Sequence, residues 1–173
     1  MLIRIENSVL IFMSLFFMGC SSSKNFTTFS KQIYKAQKGK KKCGVSPKLS
    51  FESRKKLADT IDFIEYSNDT VYCLESYYIE TGEYYGAIWT KKGTVEFKVH
   101  LNNLEYGQNF FIKRLYKMIE NWDLPALRKA ERESSGMFGG GVMSGTKVII
   151  DQGDFRMDCV QFDEFFNLQL DRK

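Results

Sequence analysis

The stretch from Thr70 to Leu101 restricts the fold more than any other part of the chain. Three runs rich in β-branched and aromatic residues, Val71 to Ile79, Tyr84 to Thr90 and Thr94 to Leu101, are separated by Thr81-Gly82-Glu83 and by Lys91-Lys92-Gly93. Short runs of this composition bounded by turn residues predict strands, and such brief connections join neighbours, so the three form an antiparallel meander. After Asn102 and Asn103 the period changes, and Phe111, Leu115, Met118 and Trp122 recur at helical spacing, which puts them on one face able to cover the sheet. Asp123 followed by Pro125 predicts a second helix from Leu124 to about Glu133. Gly136 to Gly145 is read as a loop, and Thr146 to Ile150 with Phe155 to Val160 as a closing hairpin turned through Asp151-Gln152-Gly153-Asp154. Phe162, Phe165 and Phe166 follow as a terminal apolar clasp. The expected class is therefore α+β: an antiparallel meander sheet packed by one or two helices, with a C-terminal hairpin.

Upstream of the meander the pattern is ambiguous. Ser50 stands where it would cap a helix with the face Leu57, Ile61 and Ile64, yet Ile61, Phe63 and Glu65 alternate as in a strand, so 59–66 stays undecided. Charge draws a sharper boundary. From Lys24 to Lys56 eleven basic residues face the single Glu52, a balance of +10, whereas from Leu57 to Lys173 thirteen basic and nineteen acidic residues give -6. A basic arm on an acidic body is expected, with Gly39 to Gly44 as a solvated tether. The arm would act either as a spacer or by electrostatic attachment to an anionic membrane surface.

At the N-terminus Arg4 precedes the apolar run Val9 to Met18, which ends at Gly19-Cys20 before Ser21, Ser22 and Ser23. The run is shorter than the roughly 20 residues that a membrane-spanning helix needs. A positive charge, a short apolar run and a small residue in that order have the layout of a secretory signal. The segment resembles the lipobox of bacterial lipoproteins, and in particular small outer-membrane lipoproteins of the Bacteroides group. Phe17 and Met18 depart from the commonest form of the box. The resemblance implies a cleaved signal over 1–19 and a lipid on Cys20; the 154 residues that would remain suit one domain, and the charge boundary divides them into a lipidated basic tether over 20–49 and a single domain over 50–173. The resemblance also implies an outer-membrane location, on the periplasmic face because no acidic cluster follows Cys20, with the cell surface as the alternative. Asp59-Thr60-Ile61 and Asp69-Thr70-Val71 resemble the short acceptor for O-glycosylation in exported proteins of the same group, which would place Thr60 and Thr70 in exposed turns.

A search for chemistry along the body assigns no catalytic residue, no cofactor and no metal site. His100 is the single histidine, so multi-histidine metal sites are excluded and any histidine-based triad has one possible base. Gly139-Gly140-Gly141 lacks the Lys and Ser or Thr of a phosphate-binding loop and leads into a strand. Glu80 and Glu83 flank a turn without an implied cleft. Nucleic acid is set aside as a partner on compartment, despite the basic arm.

With Cys20 acylated, Cys43, Cys73 and Cys159 remain, an odd number in a disulfide-permissive compartment. One bridge and one free thiol is the natural count. Because Cys73 and Cys159 both fall in expected strands, a Cys73–Cys159 bridge is favoured over three reduced thiols. Aromatic residues gather on the first two strands at Tyr77, Tyr78, Tyr84, Tyr85 and Trp89. Strand alternation sends one member of each Tyr pair away from the core unless a second layer covers it. That strip is the best ligand candidate in the sequence; ordinary core packing is the competing reading.

Two functions follow. The first is a lipid-anchored envelope protein, non-enzymatic, that binds a protein partner or envelope component at the outer membrane. The alternative is an envelope glycan-acting enzyme whose site is not legible in the sequence.

Overall fold

The computed structural model describes residues 24–40, 43–134 and 141–163. Among them four helices and six strands form an α+β fold. They are α1 (24–39), α2 (Pro47–Lys55), β1 (Asn68–Tyr78), β2 (Glu83–Trp89), β3 (Thr94–His100), β4 (Asn103–Gly107), α3 (Lys113–Asn121), α4 (Leu124–Ser134), β5 (Val142–Asp151) and β6 (Asp154–Asp163). Every strand pairs antiparallel in one sheet of order β4-β3-β2-β1-β5-β6. The meander and the closing hairpin are thus parts of one sheet, joined where β5 lies along β1 from Asn68↔Asp151 to Tyr77↔Val142.

Two helical layers enclose that sheet. On one face Phe26, Phe29 and Ile33 of α1 pack with Leu57, Ile61 and Ile64 against Val71, Cys73, Tyr84, Ile88, Phe97, Val99, Val148 and Ile150. On the other, Leu115 and Ile119 of α3 and Leu127 of α4 pack against Leu74, Ala87, Trp89, Met143, Val160 and Phe162. Covered from both sides, β1 buries Cys73, Leu74, Glu75 and Ser76 in succession, the pattern of a strand with no wet face.

Local chemistry explains the turns. Asp151 and Asp154 form the last pair of the β5–β6 hairpin, which leaves Gln152 (φ 48°) and Gly153 (φ 87°) as a two-residue loop with both residues left-handed. That geometry matches the right-handed twist of the flanking strands. Asp123 caps α4 as expected, its Oδ1 accepting the amide of Ala126 at 3.2 Å.

Several expectations are corrected. The stretch 24–39 is a helix rather than a tether, because Phe26, Phe29 and Ile33 recur at helical spacing and bury a face that the lysine count obscures. Ser50 lies inside α2, whose first turn begins at Pro47 after Ser46; Leu57, Ile61 and Ile64 are buried in the irregular segment that follows, so 59–66 is neither helix nor strand. Asn103–Gly107 forms the edge strand β4. On α3 the fully buried positions are Leu115 and Ile119, while Met118 and Trp122 are half-buried. Val142, Met143, Ser144 and Gly145 belong to β5 rather than to a loop, and Phe165 and Phe166 lie outside the described residues.

Close packing on the sheet makes one glycine a sensitive probe. A Cβ at Gly86 would stand 2.3 Å from Cζ of Phe97, a ring that is itself fully buried. Gly86→Ala is expected to lower stability by about 1 to 3 kcal/mol in a urea titration, since the ring has no space to yield. Gly39→Ala, where nothing lies within 4 Å, serves as the control and should show no such loss.

Candidate functional site

The most concentrated polar chemistry in the described residues lies between α1, α2 and the sheet. Glu75, in the middle of β1, directs its carboxylate toward the helices. Its Oε1 accepts Arg54 Nη1 from α2 and the Tyr84 hydroxyl from β2 at 2.6 Å, and its Oε2 accepts Gln37 Nε2 from α1 at 3.1 Å. Gln37 Oε1 in turn accepts Arg54 Nη2 at 3.3 Å. Gly44 completes the corner: its amide donates to Ser144 Oγ at 3.0 Å, and at φ 80° a Cβ there would lie 2.8 Å from Gln37 Nε2. Glycine satisfies both the left-handed backbone and the space.

Electrostatics follow from enclosure. Burial disfavours the charged guanidinium of Arg54, but Glu75 opposes this, and the net displacement of its pKa is upward. Tyr84 is pushed well above the usual tyrosine range, first by burial and then by Glu75, so it stays a neutral donor. Arg54 is 0% exposed and Glu75 2%, which denies a substrate any approach. The network can hold helices to the sheet; it cannot meet a ligand.

A disulfide closes the same layer. Cys43, between α1 and α2, is bonded to Cys159 of β6, and Cys73 is the buried free thiol. This corrects the expected Cys73–Cys159 bridge. The register Cys73↔Thr146↔Cys159 places the two cysteines on one face but two strands apart, roughly 10 Å at about 4.8 Å per strand, beyond disulfide reach.

The aromatic strip divides between the two faces, because adjacent strand residues point oppositely and both faces are covered. Tyr84 and Trp89 are buried, and Tyr77 packs half-buried beside Tyr84 in the first core. Trp89 is held by α3, its ring tilted against Tyr116 with centroids 4.7 Å apart and its Nε1 donating to Glu120 Oε1 at 2.9 Å. Tyr78 and Tyr85, also half-buried, remain together on the α3 face, with ring centroids 5.5 Å apart. Phe110 joins Tyr85 at 5.3 Å, and Lys98 lies over the Tyr85 ring at 5.3 Å while bridging Glu83 at 2.5 Å. That bridge lowers the carboxyl pKa of Glu83 and raises the pKa of Lys98.

This group sits at one end of the sheet. The pairs Tyr78↔Glu83 and Glu83↔His100 bring the β1–β2 and β3–β4 turns to the same end, where Ile79 is 70% and Leu101 82% exposed. Two large apolar side chains in water, beside half-buried rings and an ion pair, make a surface suited to contact rather than to bond chemistry. Phe110, Lys98 and Leu101 are absent from the sequence-based strip. Their signal in the sequence is weak, because only strand register brings them to Tyr85.

Other candidates are placed as follows. Glu80 is exposed and Glu83 is engaged by Lys98, Thr81 and Tyr85. His100 ends β3 opposite Asn103. Thr60 is exposed in a turn, its Oγ1 2.7 Å from the Tyr106 hydroxyl, whereas Thr70 is half-buried within β1 rather than in a turn. Cys20, Gly139 and Gly140 lie outside the described residues. Among the described residues no group of three or more His, Cys, Asp and Glu side chains is placed to hold a metal ion, and no helix is long and apolar enough to cross a membrane. Comparison with protein-family models, curated proteins and solved structures gave no match.

Proposed function

We propose that the chain is a lipoprotein precursor anchored through Cys20 to the outer membrane, on its periplasmic face, and that the body binds a protein partner or envelope component without catalysis. The anchor rests on the sequence from Arg4 to Ser23. The binding reading rests on one observation: exposed Ile79 and Leu101 share one end of the sheet with half-buried Tyr78 and Tyr85, against which half-buried Phe110 packs. Rigid rings lose little side-chain entropy on contact and offer large area, and their mutual packing already holds them in place.

Two measurements test the parts separately. Cys20→Ser should abolish metabolic fatty-acid labelling and release the protein from membranes; undiminished labelling sinks the anchor. For binding, a photocrosslinking side chain at Ile79 should give a discrete adduct in intact cells. The same probe at Asp154, on the β5–β6 turn at the opposite end of the sheet, should not. Tyr85→Ala, in folded protein, should weaken capture on the order of tenfold, the scale of an aromatic anchor at an interface. Equal adducts at both ends, or capture indifferent to Tyr85, would reject this surface.

A further inference from the structure

The outer face of α1 carries only one kind of charge. Its lysines are Lys24, Lys31, Lys35 and Lys38, all exposed, and 24–39 contains no Asp or Glu. At 3.6 residues per turn the four lie within about 60° of arc, on the side opposite Phe26, Phe29 and Ile33, in a stripe about 21 Å long. None of the four ammonium groups makes a hydrogen bond or ion pair with the described residues, whereas those of Lys40, Lys55 and Lys56 are engaged by Met157 O, Glu52 and Asn102 O respectively. The helix therefore has its apolar side fixed on the sheet and a row of unneutralised ammonium groups facing out.

We propose that this stripe is a membrane-contact surface, on which α1 lies flat against the anionic headgroups of the bilayer that holds the protein. The inference deepens the anchored reading above and rests on it. Three observations support this occupant. Lys24, the first of the row, follows Cys20 by four residues in the sequence, so a lipid on Cys20 would hold the stripe at the headgroups. The net charge is split, positive over 24–56 and negative over 57–173, so an anionic surface attracts this side and repels the rest. The fold fixes the row: because Phe26, Phe29 and Ile33 are buried, the lysines cannot rotate inward, and the contact sets the orientation of the whole body. The exposed end with Ile79 and Leu101 would then be held at a constant height above the bilayer.

The full chain, purified from membranes, would be reconstituted on vesicles of phosphatidylcholine alone or mixed with phosphatidylglycerol, and lysine acetylation mapped by mass spectrometry. Lys24, Lys31, Lys35 and Lys38 should be protected only on the mixed vesicles, while Lys113 and Lys117, exposed on α3, react equally on both. Protection should disappear in high salt, since the screening length falls to about 3 Å at 1 M. Each Lys→Gln change in the row should weaken binding of the lipid-free Cys20→Ser protein to anionic vesicles about fivefold. Glutamine keeps the helix, so thermal unfolding of the fourfold variant should match the parent. Equal acetylation on the two vesicle types, or anionic binding indifferent to the four lysines, overturns the stripe. Failure of the anchor reads differently: the purified chain would not be retained on phosphatidylcholine, while salt-sensitive, lysine-dependent binding to the mixed vesicles would persist.

Discussion

Arg54→Met and Glu75→Leu are each expected to destabilise the protein by about 3 to 5 kcal/mol, because each leaves the other charge buried and uncompensated. Loss of Arg54 strands the Glu75 carboxylate with only the Tyr84 hydroxyl and Gln37 amide as donors; loss of Glu75 strands the guanidinium against Gln37 Oε1 alone. The double variant should cost much less than the sum of the two, since replacing a buried pair with apolar groups of similar volume is often neutral or stabilising. Urea titrations of the four proteins close the cycle. Single variants that each cost less than about 1 kcal/mol would mean that water reaches the network, and additive costs would mean that the two side chains are not coupled.

Cys43→Ser is expected to have an effect of comparable size, because the Cys43–Cys159 disulfide spans 116 residues and restricts most of the unfolded chain. Loop-closure entropy for that span corresponds to about 4 to 5 kcal/mol, and reductant should therefore destabilise the parent but not the variant. Thiol labelling gives an independent check. Burial pushes the Cys73 thiol up to about 12, so it should resist iodoacetamide at neutral pH in the folded state and react once the unreduced protein is unfolded. A Cys73–Cys159 crosslinked peptide after digestion would show the pairing to be wrong. In cells, the Cys43→Ser protein should accumulate less and be degraded faster.

The two effects converge on the layer made by α1, α2 and the segment between them. Gln37, Cys43, Gly44 and Arg54 all belong to it, and each is tied to a strand: Gln37 and Arg54 to Glu75, Gly44 to Ser144, Cys43 to Cys159. If the outer side of this layer meets a membrane, the ties transmit that contact to the sheet as a rigid unit.

Parts of this organisation were legible in the sequence. The turn residues at Gly82, Gly93 and Gly153, the aromatic and β-branched composition of Tyr84 to Thr90 and the Asp123 cap report structure set by neighbours in the chain, and the structure bears them out. The candidate surface was legible only in part. Tyr78 and Tyr85 were named, but Tyr77, Tyr84 and Trp89 were grouped with them, because a sheet covered on both faces gives no wet side to count from. Glu75 beside Leu74 was a sign, a carboxylate within a mostly apolar strand, but its partners Gln37, Arg54 and Tyr84 come from three other elements.

Local period, turn chemistry and capping were determined by the sequence itself, since each depends on residues within about one turn or one strand length. So was the amphipathic character of α1, present in the spacing of Phe26, Phe29 and Ile33 beneath the lysines. Only the tertiary structure decided that β5 lies along β1, which in turn decided that Cys159 is two strands from Cys73 and beside Cys43. It likewise decided which rings meet water, because a strand's two faces are equivalent until something packs on them. Such choices depend on the free energy of joining segments far apart in the chain, where burial of both faces and satisfaction of Glu75 select one arrangement that no local pattern encodes.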